Sequence, residues 1–97
     1  MARPPKLSED DLKIYLNRFP KWQRKGDTIE REFVAANFPA IVGYLNAIAI
    51  LAETLDHHPD LFIYGWNKLR VTLSTHDQGG LTELDFKLAE KIESLNF

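Results

Sequence analysis

The chain contains no cysteine. That single absence excludes a disulfide framework, a thiolate zinc site and a cysteine nucleophile, and it suits a reducing compartment. Positive charge is not in surplus either: 12 Lys and Arg stand against 14 Asp and Glu, a net charge of -2, and the basic residues are scattered. Direct binding of nucleic acid is not expected, because neutralising phosphates needs a basic surface. Long apolar runs are missing, since the most apolar stretch, Ala47 to Leu55, falls far short of the ~20 residues of a membrane span. No apolar run follows the opening Met1 to Lys6, so no secretory signal is read there and a cytoplasmic protein without a membrane partner is expected. Neither a glycine-rich phosphate loop nor a nucleophile elbow occurs.

What is present is an ordinary globular composition, 44% hydrophobic and 27% charged over 97 residues. That length suits one core, and residues 1–97 are expected to form a single domain. Ser8 to Asp11 has the form of a capping box, and Leu12, Tyr15, Leu16 and Phe19 follow at helical spacing up to Pro20. Trp22 to Lys25, Gly26-Asp27 and Thr28 to Phe33 read as a hairpin whose Ile29, Arg31 and Phe33 share one side. Asn37 and Pro39 open the longest helix, with Ile41, Val42, Leu45, Ile48, Ala49, Ala52 and Leu55 repeating every three or four residues until Pro59 stops it. Leu61 to Tyr64 and Lys68 to Thr75 read as two more strands. In the second of them Leu69, Val71 and Leu73 oppose Arg70, Thr72 and Ser74, and His76 continues the latter set. Gly79-Gly80 breaks the chain before a last helix opened by Thr82 and Asp85 and carrying Leu84, Leu88, Ile92 and Leu95. The order α-β-β-α-β-β-α predicts an α+β domain, a four-stranded antiparallel sheet with three helices packed on one face.

All three histidines, His57, His58 and His76, fall within a window of 20 residues. Imidazole is the side chain whose ordinary pKa lets it give and take protons near neutrality. Glu53 and His57, four apart on the long helix, are expected on one side of it, with Asp56 and His58 projecting elsewhere. The negative end of the helix dipole favours imidazolium there, which suits a general acid. Blander readings compete: a solvated helix end for His57 and His58, a polar residue on the open sheet face for His76, a surface carboxylate for Glu53, and a capping-box partner for Asp85. A zinc site is a further rival, although the helix lacks the paired i, i+4 histidines of a helical zinc motif.

Glu53-Thr-Leu-Asp56-His57-His58-Pro59, an aromatic at Trp66, Thr72-Leu-Ser74-Thr75-His76-Asp77, Gly79-Gly80-Leu81 and Asp85 together resemble the signature of the pterin-4a-carbinolamine dehydratases. The resemblance runs from about Phe33 to the C-terminus. The spacing from Pro59 to Trp66 is one residue longer than in the animal enzymes, a change located in the turn near Gly65, where loop length is easily varied.

The resemblance implies the dehydration of a 4a-hydroxytetrahydropterin, released by aromatic amino acid hydroxylases, to quinonoid dihydropterin and water, within tetrahydrobiopterin recycling. It implies no metal and no redox cofactor. His57 and His76 are then expected to be the catalytic proton-transfer pair. His58 positions the pterin, and Glu53, Asp56, Ser74, Thr75 and Asp85 complete the substrate-binding set. A homodimer or homotetramer is implied, with an aromatic amino acid hydroxylase as a conceivable partner. The alternative function is that of a dimerisation cofactor for a transcription factor, which other members of this family serve as.

Overall fold

The computed structural model describes residues 3–97. Helix α1 (Glu9–Arg18) begins where the Ser8 side chain accepts a hydrogen bond from the Asp11 N–H at 3.1 Å, with three acidic residues in its first turn. Both features oppose the unpaired N–H groups of a helix start. Strands β1 (Gln23–Lys25) and β2 (Thr28–Val34) form the expected hairpin, with Gly26 at φ +62° in the first central turn position. Glycine takes that conformation without a steric cost.

Asn37 caps helix α2 (Phe38–Thr54), and strands β3 (Asp60–Tyr64) and β4 (Lys68–Leu73) pair next. Helix α3 (Glu83–Glu93) starts from a complete capping box between Thr82 and Asp85. The sheet order is β1-β2-β4-β3, antiparallel throughout. Ile29, Phe33, Leu69, Val71 and Leu73 are buried against Leu12, Ile41, Ile48, Ala52, Phe86, Leu88 and Ile92 of the helices. The expected α+β architecture with all helices on one face is therefore the one observed. Arg31 shares the helix-facing side of β2, where it pairs with Glu93. No helix among the described residues is long and apolar enough to cross a membrane.

Several element ends differ from the expectation by a residue or two, among them α3, which stops at Glu93 short of Leu95, and the two ends next to the histidines differ most in consequence. Helix α2 stops at Thr54 rather than running to Pro59. Asp56 adopts a left-handed conformation, φ +48°, while the N–H of Asp56 donates to Glu53 O and that of His57 to Ala52 O, each at 3.1 Å. This pair of bonds is the Schellman arrangement, which satisfies the last carbonyls without further helix. Strand β4 stops at Leu73. Thr75 instead bridges to Gly80, its N–H donating to Gly80 O at 2.9 Å, which closes a loop around the short 3-10 turn His76–Gln78.

Candidate active site

Because α2 ends early, the left-handed turn at Asp56 swings His57 inward and His58 outward. His57 is buried, whereas His58 remains exposed. The helical pairing expected between Glu53 and His57 is not formed: Glu53 Oε1 meets His58 Nε2 at 2.9 Å. Four-residue spacing makes neighbours only within a continuing helix. His57 Nε2 meets Asp85 Oδ1 at 2.6 Å, with Asp85 wholly inaccessible to solvent.

The second oxygen of Asp85 is equally occupied. Oδ2 accepts from the Thr75 hydroxyl and from the Thr82 N–H, both at 2.9 Å. Thr75 thereby commits its one hydroxyl proton, so in its 2.8 Å contact with Thr82 Oγ1 the Thr82 hydroxyl is the donor. Thr82 Oγ1 in turn accepts from Leu84 N–H at 3.2 Å. With Oδ2 taking two donors, Oδ1 is the acceptor facing the imidazole, which places the ring proton on Nε2. That leaves Nδ1 of His57 as the ring nitrogen available for proton transfer. Among the described residues no hydrogen-bond partner of Nδ1 is found.

His76 does not continue the open sheet face as expected; it opens the 3-10 turn and is exposed. Ser74, expected on the open face, is buried where its hydroxyl donates to Asp27 O at 3.0 Å. Thr75 is buried inside the Asp85 network, and Asp56 lies exposed at the turn. Thr75 and its neighbour His76 join the two histidine-bearing turns: from His57 the path runs through Asp85 to Thr75, and His76 is the next residue. Trp66 is exposed in the turn between β3 and β4, at φ +59°.

Thr82 was legible as a helix cap but not as part of this network, because its hydroxyl serves both. Arg3 carried no signal at all, yet its guanidinium lies 3.8 Å from both Asp56 and Asp77, the residues beside His57 and His76. A cavity of about 830 Å³ lies elsewhere, between α1 and α3 over Tyr15, Phe19, Trp22 and Phe86; no histidine lines it. The histidine turns are the candidate site because titratable groups are paired there, His57 with Asp85, His58 with Glu53, and Arg3 with both Asp56 and Asp77.

The sequence model of the pterin 4 alpha carbinolamine dehydratase family matches residues 5–95. The chain belongs to this family. Relatives provisionally named as pterin-4-alpha-carbinolamine dehydratases agree over nearly their whole length. The dehydratase relative from Sulfurisphaera tokodaii is 43% identical over 90 residues, covering 93% of this chain and 96% of its own. The one from Chloroflexus aurantiacus is 44% identical over 91 residues, 94% and 97% of the two chains. A crystal structure described as a transcriptional coactivator/pterin dehydratase from Brucella melitensis superposes with a TM-score of 0.87 at 35% identity, over 95% of this chain and 99% of that one. A pterin dehydratase-like protein described as a RuBisCO assembly factor in the alpha-carboxysome shares the fold, with a TM-score of 0.59 at 23% identity over 76% and 84%.

Proposed function

We propose that this dehydratase-family chain acts on a 4a-hydroxytetrahydropterin, breaking the C4a–O bond to release water and form quinonoid dihydropterin, as in cytoplasmic tetrahydrobiopterin recycling. The leaving hydroxyl takes a proton and the neighbouring ring nitrogen loses one, so a donor and an acceptor are both required. His57 and His76 supply them. The observation that carries this reading is the buried Asp85, which orients the His57 ring, holds its proton on Nε2 and connects it through Thr75 to the His76 turn. A carboxylate behind an imidazole fixes its tautomer and supports its positive form, the role familiar from catalytic triads. His58, exposed and steadied by Glu53, holds the pterin, with Asp56 at the same turn. Ser74 and Thr75 shape the floor beneath it.

The reaction is metal-free in this proposal, because proton transfers to the leaving oxygen and from the ring nitrogen are the only assistance that breaking the C4a–O bond is given. Purified protein incubated with freshly generated carbinolamine should accelerate the absorbance change of dehydration, and exhaustive EDTA treatment should leave that rate intact. Loss of rate restored by zinc would replace the proton-transfer reading with a metal site. We further propose that the working form is a homodimer or homotetramer. A second reading, that the chain serves as a protein-binding cofactor for a transcription factor, draws on the coactivator wording attached to the Brucella melitensis structure and on the exposed Phe38 and Ile50 of α2. A folded protein with no measurable dehydration would favour it.

A further inference from the structure

The two histidine-bearing turns are linked twice. The inner link is the hydrogen-bond path through Asp85 and Thr75 already described. The outer one is formed by residues that precede the first helix. Leu7 N–H donates to Leu81 O at 2.9 Å, which ties this segment to the far end of the loop that carries His76. Lys6 lies so close over Gly80 that a Cβ there would meet its Cε at 2.8 Å, and its ammonium is 3.8 Å from Asp27. Residues 3 to 7 thus run as a strap across the loop. At the end of the strap, Arg3 Nη2 is 3.8 Å from Asp56 Oδ2 and Arg3 Nε is 3.8 Å from Asp77 Oδ2.

We propose that Arg3 is a positioning residue, whose guanidinium clamps the turn bearing His57 and His58 against the turn bearing His76. This inference rests on the reading that those histidines serve one site. Three features support a positioning role over an incidental surface contact. Each carboxylate is the immediate sequence neighbour of a histidine, Asp56 before His57 and Asp77 after His76. Asp56 also occupies the left-handed position that ends α2, so a force on it acts on the direction in which both following imidazoles leave the helix. Finally, Arg3 is anchored, with its side chain 27% exposed and its backbone led in by the Leu7–Leu81 bond. A planar guanidinium can address two carboxylates from different nitrogens, which a lysine ammonium does less well. Exposed pairs are individually weak and screened by salt. Their effect here is leverage on the relative placement of two proton-transfer groups, to which rates are steep.

The test compares the full chain with Arg3→Gln, Arg3→Lys, Asp77→Asn and the double variant Arg3→Gln, Asp77→Asn. Two measurements are made: steady-state dehydration at low and high salt, and carbon-proton NMR of the three imidazole rings without substrate. Arg3→Gln should lower kcat/KM about three- to tenfold at low salt, with melting temperature and oligomer size unchanged. Arg3→Lys should recover part of the loss, and high salt should bring wild type and Arg3→Gln together. In the double variant the Arg3 effect should shrink, because a clamp that has lost Asp77, one of its two partners, no longer joins the turns. The His76 and His58 ring resonances should move in Arg3→Gln. Unchanged kcat/KM with unmoved resonances would overturn the clamp, as would strictly additive losses in the double variant. If wild type proves inactive, the proposed reaction fails by itself, while the NMR comparison still decides for or against the clamp.

Discussion

One carboxylate does two jobs in this molecule. Asp85 Oδ2 completes the cap of α3 and receives Thr75, while Oδ1 holds His57. Removing it leaves an imidazole N–H, a hydroxyl and a backbone N–H without a partner in a buried place, each a substantial desolvation cost. Asp85→Ala should therefore lower stability by about 2–4 kcal/mol, read by urea denaturation. Asp85→Asn retains the shape but not the charge that supports imidazolium, and should keep most stability while lowering kcat. The histidines should separate by kinetic signature. His57→Ala or His76→Ala should lower kcat by ~10²-fold or more, the usual scale for a general acid or base. His58→Ala should chiefly raise KM, since uniform binding affects both ground and transition states. If His58→Ala instead abolishes kcat with KM unchanged, the exposed Glu53–His58 pair takes over the proton-transfer role. The residue types of this site were legible in the sequence, but their partners were not. Helical spacing assigned Glu53 to His57, and only the left-handed Asp56 hands it to His58. A positive φ at an aspartate leaves little trace in one sequence, because glycine is the usual marker of that position.

At the scale of elements, alternation and caps were sufficient to read the order and type of the three α-helices and four strands, though not the 3-10 turn at His76–Gln78. Ile29 and Phe33, then Leu69, Val71 and Leu73, mark the buried side of β2 and β4 directly. Their ends were less readable where hydrogen bonds outside the regular ladder decide them, as at Thr75 with Gly80. The docking of α1 supplies a prediction of its own. Arg24, on β1, meets Glu9 on α1 at 2.6 Å and 2.9 Å, and that hydrogen-bonded partner holds the Glu9 carboxyl below its usual range. A carboxyl depressed in the folded state contributes stability above its unfolded pKa and loses it as pH falls through the folded value. Glu9→Gln should hence lower the melting temperature slightly at neutral pH, and the gap to wild type should close on acidification through the carboxylate range. A gap that persists at the lowest pH would mean that lost packing, not charge, is responsible. The effect should be small, since the pair is solvent-exposed.

For the whole molecule, the question is what covers the apolar surface that one chain leaves open. Helix α2 carries no charged residue before Glu53, and Phe38 and Ile50 are 53% and 67% exposed on its outer side. A helix apolar on several sides is usually covered on more than one. The sheet adds a second unprotected region. Its edge strand β1 is three residues long and basic at Arg24 and Lys25, features that discourage pairing; the opposite edge, β3, has neither lysine nor proline and exposes Phe62. A chain of this size buries proportionally little surface by itself and gains stability by covering such regions with a copy. Light scattering at micromolar concentration should therefore give two or four times the chain mass of 11.2 kDa. Ile50→Glu would bury a charge at any contact made through α2, and Phe62→Glu at any contact made through β3. The two substitutions thus report which surface is used: the one that reduces the mass marks the contact, and the one that leaves it unchanged marks free surface. If both leave a dimer or tetramer intact, association runs through neither. A wild-type species at 11.2 kDa would contradict assembly altogether. Activity measured on the same samples separates the consequences, because the Asp85 network lies within one chain. An Ile50→Glu monomer that keeps its histidine network should retain dehydration, whereas an inactive but folded monomer would show that the pterin needs a second subunit.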